Sequence, residues 1–270
     1  MSDPRPIGFF DSGLGGLTVL RTVRRFFPHE NIVYLGDTAR LPYGTKSPAT
    51  IRRYTEQNIQ LLLKRDVKAI VVACNSASTT LLHGSAPIAS PVPVYNVIEP
   101  GARAALASST SKRIGILGTR ATVQSQAYTR ALHAIDPSTM VFSQAAPLLV
   151  PLVEEGWETD PLTNLVIYRY VAPLVAQSID TMILGCTHYP ALKDGIARVT
   201  GANVTLIDSG QAIAEDLQAD LKSGRVKATP TGALGTLKLL ATDTSTSMNE
   251  TAARLLGTTS DLTQFELVDL

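Results

Sequence analysis

The stretch VKAIVVACNSAS (67–78) decides how the rest of the chain is read. Five apolar residues follow Lys68, too few for a buried helix and enough for a strand covered on both faces. Cys74 ends the run. Asn75 or Ser76 then supplies a helix N-cap. A buried strand that breaks into a polar, helix-starting tip is the unit of a parallel α/β sheet. The same form returns at LGCTHYP (184–190), around Cys186. These are the only two cysteines in 270 residues.

Working outward, further short apolar runs read as strands. They are PIGFF (6–10), NIVYLG (31–36), VPVYNVI (92–98), RIGILG (113–118), TMILG (181–185), VTLID (204–208) and LKLLAT (237–242). Amphipathic stretches lie between them. Ser47-Pro48 is a cap and first-turn pair for the helix that follows, with Ile51, Tyr54, Leu61 and Leu62 on one face. GQAIAEDLQADLKSG (210–224) and NETAARLLG (249–257) each stop at a glycine. The pattern predicts α/β architecture with mostly parallel sheets flanked by helices.

IGFFDSG begins at Ile7 and IGILGTR at Ile114, and a cysteine strand follows each after a similar interval. This predicts two pseudo-symmetric lobes with a cleft between them. The expected boundaries are a first lobe over 1–98, completed by 208–270, and a second lobe over 99–207.

Composition narrows the function. The chain is 44% hydrophobic and 17% charged, as expected of a globular protein with a core. A net charge of +1 gives no bulk electrostatic case for nucleic acid. No apolar run approaches the ~20 residues of a membrane helix. MSDPRPIGFF does not read as a secretory signal, and two cysteines do not make a disulfide scaffold. A cytoplasmic, reduced protein is expected.

Ligands of open α/β sheets sit at the carboxyl ends of strands. That rule selects Asp11-Ser12-Gly13, Cys74-Asn75-Ser76, Thr119, Cys186-Thr187-His188 and Asp208-Ser209-Gly210. At a helix N-terminus the Cys74 sulfur meets backbone dipoles that favour thiolate. A buried strand cysteine acting as a small hydrophobe is the bland alternative. His188 lies two residues after Cys186, so both side chains share one side of an extended segment, where an imidazole can hold the thiol's proton. Zinc held by Cys74, Cys186 and His188 lacks a fourth ligand and a local Cys/His pair. A redox pair lacks C-x-x-C.

DSGLGG (11–16) is neither a dinucleotide fingerprint nor a P-loop, but its amides suit a carboxylate. In LPYG (41–44), the amides of Tyr43 and Gly44 could hold an anion, although taken alone the stretch reads as a plain turn. LVEEGW (152–157) ends an apolar run in two carboxylates, the usual sign of a helix surface. His29, His83 and His133 have no partner motif. Two thiols at matching strand tips suggest proton transfer on opposite faces of one carbon, as inversion of a stereocentre requires.

GFFDSGLGGLTVL, LPYGTKS, VVACNSAS, LVEEG and LGCTHYP together resemble the cofactor-independent aspartate/glutamate racemase superfamily, in its order and spacing from Ile7 to about Gly257. Ser76 replaces the usual threonine and keeps the hydroxyl, and Leu14 replaces a common valine. The resemblance implies an isomerase that interconverts L- and D-glutamate without pyridoxal phosphate, metal or nucleotide, and supplies D-glutamate for peptidoglycan. It implies Cys74 and Cys186 as the two acid/bases, assisted by Asp11 and His188, with Glu154 nearby. Substrate contacts map onto Asp11, Ser12, Tyr43, Gly44, Asn75, Ser76, Thr187 and His188, and Thr119 joins them as a strand tip. Glutamate is the expected partner; a homodimer is left open. An aspartate racemase, or a catalytically silent amino-acid-binding protein, is the alternative.

Overall fold

The structure is a computed structural model describing residues 2–82, 87–230, 232–245, 247–260 and 263–270. His83 lies outside the described residues. Among the described residues, ten strands form two sheets. In chain order they are β1 (Ile7–Asp11), β2 (Ile32–Gly36), β3 (Ala69–Val72), β4 (Val94–Asn96), β5 (Arg113–Gly118), β6 (Met140–Ala145), β7 (Thr181–Gly185), β8 (Thr205–Asp208), β9 (Leu237–Ala241) and β10 (Phe265–Leu267). The helices are α1 (Leu17–Phe26), α2 (Pro48–Lys64), α3 (Asn75–Ser78), α4 (Ile98–Ser108), α5 (Arg120–Gln124) and α6 (Ala127–Ile135). They continue as α7 (Leu149–Glu154), α8 (Pro161–Val175), α9 (Lys193–Thr200), α10 (Ser209–Ser223) and α11 (Met248–Leu256).

One sheet has the order β10-β9-β2-β1-β3-β4 and the other β6-β5-β7-β8. Every strand pair among the described residues is parallel. The run β2-β1-β3-β4 repeats in β6-β5-β7-β8, each opening strand lying between its second and third. The internal repeat seen in the sequence is therefore a repeat of topology. Each cysteine follows the third strand of its set.

β1 shows why continuous apolar runs form these strands. All five of its residues are buried. Ile7 and Phe9 pack into the core on one face of the sheet, and Phe10 into the core on the other. The core that takes Phe9 continues into the second sheet through Leu117, Met182 and Leu184. Capping follows local chemistry. Ser47 accepts a hydrogen bond from the Thr50 amide ahead of Pro48, and α10 ends at Gly224 with φ +77°.

Two strands were not expected from sequence. β6 is an edge strand whose residues are partly exposed throughout, so MVFSQA has no continuous apolar run. β10 is a three-residue edge strand. Among the described residues no helix is long and apolar enough to cross a membrane.

Candidate active site between the two sheets

The chain beyond the carboxyl ends of β1, β3, β5 and β7 lines one cavity of about 280 Å3. Cys74 and Cys186 both line it, each 5% exposed. Ser12, Tyr43, Gly44, Asn75, Ser76, Thr119, Thr187, His188 and Glu154 line it too. Asp11 does not. It is wholly buried behind the cavity, where its carboxylate accepts from the Gly13 amide at 3.1 Å and from Thr187 Oγ1 at 3.2 Å. His29 and His133 lie elsewhere, each with a ring nitrogen near a backbone carbonyl.

The glycine-rich turn after β1 is shaped by what packs on it. A Cβ at Gly15 would lie 2.4 Å from His188 Nδ1 and from Thr187 Oγ1. A Cβ at Gly16 would lie 2.5 Å from that of Asp11. The turn lets the segment after β7 press against the segment after β1. Further hydrogen bonds that cross between the halves include three beside the cavity. Thr18 Oγ1 donates to the Thr187 carbonyl at 2.7 Å, Ser76 Oγ and Thr119 Oγ1 are 2.9 Å apart, and the Tyr128 hydroxyl donates to Asn75 Oδ1 at 2.7 Å. Gly44 makes a fourth close approach, since a Cβ there would lie 2.8 Å from that of Thr119.

The two sulfurs have different surroundings. Cys186 Sγ lies 3.8 Å from His188 Nδ1, and His188 Nε2 lies 3.2 Å from Glu154 Oε1. Contrary to the sequence expectation, this contact is not made along an extended segment: the chain turns at Thr187, and His188 has helical backbone angles. Burial opposes charge on His188, but the bonds to Cys186 and Glu154 outweigh it and push its pKa up to about 10. The imidazole therefore holds its proton at neutral pH.

Cys74 faces the reverse. Burial, then the Asp11 carboxylate, push its thiol up to about 12, against the Ala77 amide and the Ser12 hydroxyl. The expected activation by the helix N-terminus is therefore outweighed, and α3 is a single turn of four residues. The Cys74 thiol lies 3.6 Å from Ser12 Oγ.

Other residues hold these groups in place. Arg254 of α11 donates to the carbonyls of Val153 and Glu154, satisfying the end of α7 that carries Glu154. Tyr43 turns its hydroxyl away from the cavity to Asp37, which also accepts from Arg40 Nε and Thr242 Oγ1. The Tyr43 ring is thus an anchor for the loop. Val150, Pro147 and Pro151 supply an apolar wall, and Arg120, exposed, joins the lining beside Thr119. The sequence reading missed Asp37, Arg120 and the wall. Arg120 had one available signal, its place next to a strand-tip threonine. Among the described residues no group of three or more His, Cys, Asp or Glu is arranged to hold a metal ion.

The arrangement is a partly open cavity with a sulfur from each half of a repeated fold, one beside an imidazolium and one held as a thiol. Comparisons with known proteins agree in kind. The family described as Asp/Glu/Hydantoin racemase matches residues 18–217. The glutamate racemase of Neisseria meningitidis serogroup A is 51% identical over 212 residues, covering 78% of this chain and 78% of the relative. The crystal structure of glutamate racemase isoform RacE1 from Bacillus anthracis superposes with a TM-score of 0.90 at 36% identity, covering 98% of each chain. Glutamate racemase from Francisella tularensis, solved in complex with D-glutamate, gives 0.89 at 34% identity and the same coverage.

Proposed function

Because the chain belongs to the Asp/Glu/Hydantoin racemase family, we propose that Cys74 and Cys186 invert the α-carbon of glutamate by working on its opposite faces. The chain is an isomerase, a glutamate racemase that interconverts the L and D forms. The observation that carries the two-base reading is the repeated strand order, which brings one cysteine from each half to a single cavity.

In the proposed step, one thiolate takes the α-proton while the electron pair develops on the α-carbon. The opposite thiol delivers its proton to the other face and becomes the thiolate. Cys186, beside the protonated His188, stands ready as base, and Cys74 stands ready as acid. Turnover in the other sense requires the reverse protonation. Glu154 holds His188, and Asp11 holds Thr187 from behind. Ser12, Asn75, Ser76, Thr119, Thr187 and the backbone of Tyr43 and Gly44 are assigned to the substrate's polar groups. The apolar wall limits water, which strengthens these interactions.

The lobes are assigned as 1–98 with 208–270, and 99–207. The reaction is placed in the cytoplasm, where thiols stay reduced, and its product in peptidoglycan assembly. Homodimer formation belongs to the same reading and is checked by light scattering.

The test is racemisation in deuterated water. Either enantiomer should acquire one deuterium at the α-carbon as it inverts, with the solvent label appearing in the product enantiomer first. Turnover of aspartate but not glutamate, or binding without exchange, would overturn the reading.

A further inference from the structure

Tyr128 appears in no strand tip and in no glycine turn. It sits on α6, in the half of the molecule that carries Cys186, and is 1% exposed. Its hydroxyl reaches across to Asn75, the residue after Cys74, and donates to Oδ1 at 2.7 Å. Asn75 is also 1% exposed and lines the cavity. Its Nδ2 has no hydrogen-bond partner among the described residues. A buried amide donor without a partner is costly, so a folded protein retains one where a ligand completes it.

The backbone makes room for this tyrosine. A Cβ at Gly101 would lie 3.2 Å from Tyr128 Cε1, and one at Gly185 would lie 3.3 Å from Cε2. Gly185 directly precedes Cys186. The ring is thus held between α4 and the end of β7, with only its hydroxyl meeting Asn75. Burial pushes that hydroxyl well above the usual phenol range, so it stays a donor. With the phenol donating to Oδ1, Nδ2 is the end of the carboxamide left without a partner.

Building on the glutamate reading, we propose that Tyr128 is a positioning residue that locks the Asn75 carboxamide with its Nδ2 presented to a substrate carboxylate. Because the bond spans the two halves, the donor is aimed only when the halves are seated together. Tyr128 touches no substrate and acts through Asn75.

The experiment is the steady-state kinetics of the full chain with L- and D-glutamate. Tyr128→Phe keeps the ring and loses the hydroxyl. It should raise KM by about 10- to 100-fold, the worth of one hydrogen bond to a charged group, and leave kcat within a few fold. Asn75→Ala should raise KM similarly, and adding Tyr128→Phe to it should change little more. A purely structural tyrosine would instead lower the melting temperature and the active fraction with KM unchanged. That result, or additive effects in the double variant, overturns the proposal. Asn75→Asp keeps the acceptor for Tyr128 and removes the Nδ2 donor, so it serves where Tyr128→Phe does not fold. An unchanged KM there overturns the proposal too. Wild-type protein in the same assay separates the two levels: no turnover of glutamate by wild type sinks the racemase reading with it, whereas normal wild-type turnover with an unchanged KM in Tyr128→Phe sinks only the role of Tyr128.

Discussion

At the scale of single residues, the two sulfurs are alike in burial and unlike in company. Serine is a far weaker acid than cysteine, so under the proposed mechanism Cys74→Ser and Cys186→Ser should each abolish racemisation. Elimination from a glutamate analogue with a leaving group at the β-carbon needs only one deprotonation. Cys186→Ser is expected to release keto acid from the D analogue, and Cys74→Ser from the L analogue. The same preference in both variants would refute the two-sided mechanism, and swapped preferences would reverse only the assignment of faces. His188 carries a second prediction. Its pKa in the folded chain, about 10, lies above the ordinary 6.5. The proton is bound more tightly in the folded state. The resulting stability is fully present below pH 6.5 and is lost as pH rises to about 10. Urea midpoints of wild type and His188→Gln should differ most at the acid end of that window and converge at its alkaline end. A gap that widens with pH would refute the cationic assignment.

At the scale of elements, the turn after β1 is a tight joint between the segments that follow β1 and β7. Gly15→Ala would drive a methyl group into His188 and Thr187, displacing both relative to Cys186. Misplacement by about an ångström can cost on the order of 100-fold in rate. Gly15→Ala should lose that much in kcat. Gly201→Ala, at a position with open space but positive φ, should affect stability alone. Wild-type kcat in Gly15→Ala would show the joint to be loose. The strands were legible in sequence where both faces are covered, because burial on both sides removes polar residues and leaves an unbroken apolar run. The edge strands β4 and β8 were still legible from their apolar residues, whereas β6 gives way to Ser143 and Gln144 and β10 has only three residues. The cysteine tips were legible because a strand that ends in a cysteine and a helix cap is a local signal. Tyr128 and Asp37 were not. Each gains its meaning from partners brought near by the fold, and AYTRAL around Tyr128 reads as any amphipathic helix.

At the scale of the whole molecule, the cavity is lined by segments that follow six strands of the two sheets, β1, β2, β3, β5, β6 and β7. Protein dialysed against a chelator, without added pyridoxal phosphate, should racemise glutamate at the undialysed rate. Activity lost on dialysis and regained only with a metal or that cofactor would refute the cofactor-free reading. The pairing of β9 with β2 has a different kind of consequence. β2 is made early, and its outer neighbour is made only after all four strands of the other sheet. On a ribosome, the first sheet therefore waits with one side unpaired while the second sheet emerges and is able to close. Its completion belongs to the end of synthesis, and a nascent chain stalled just after β8 would offer β2 to other chains as a template for aggregation.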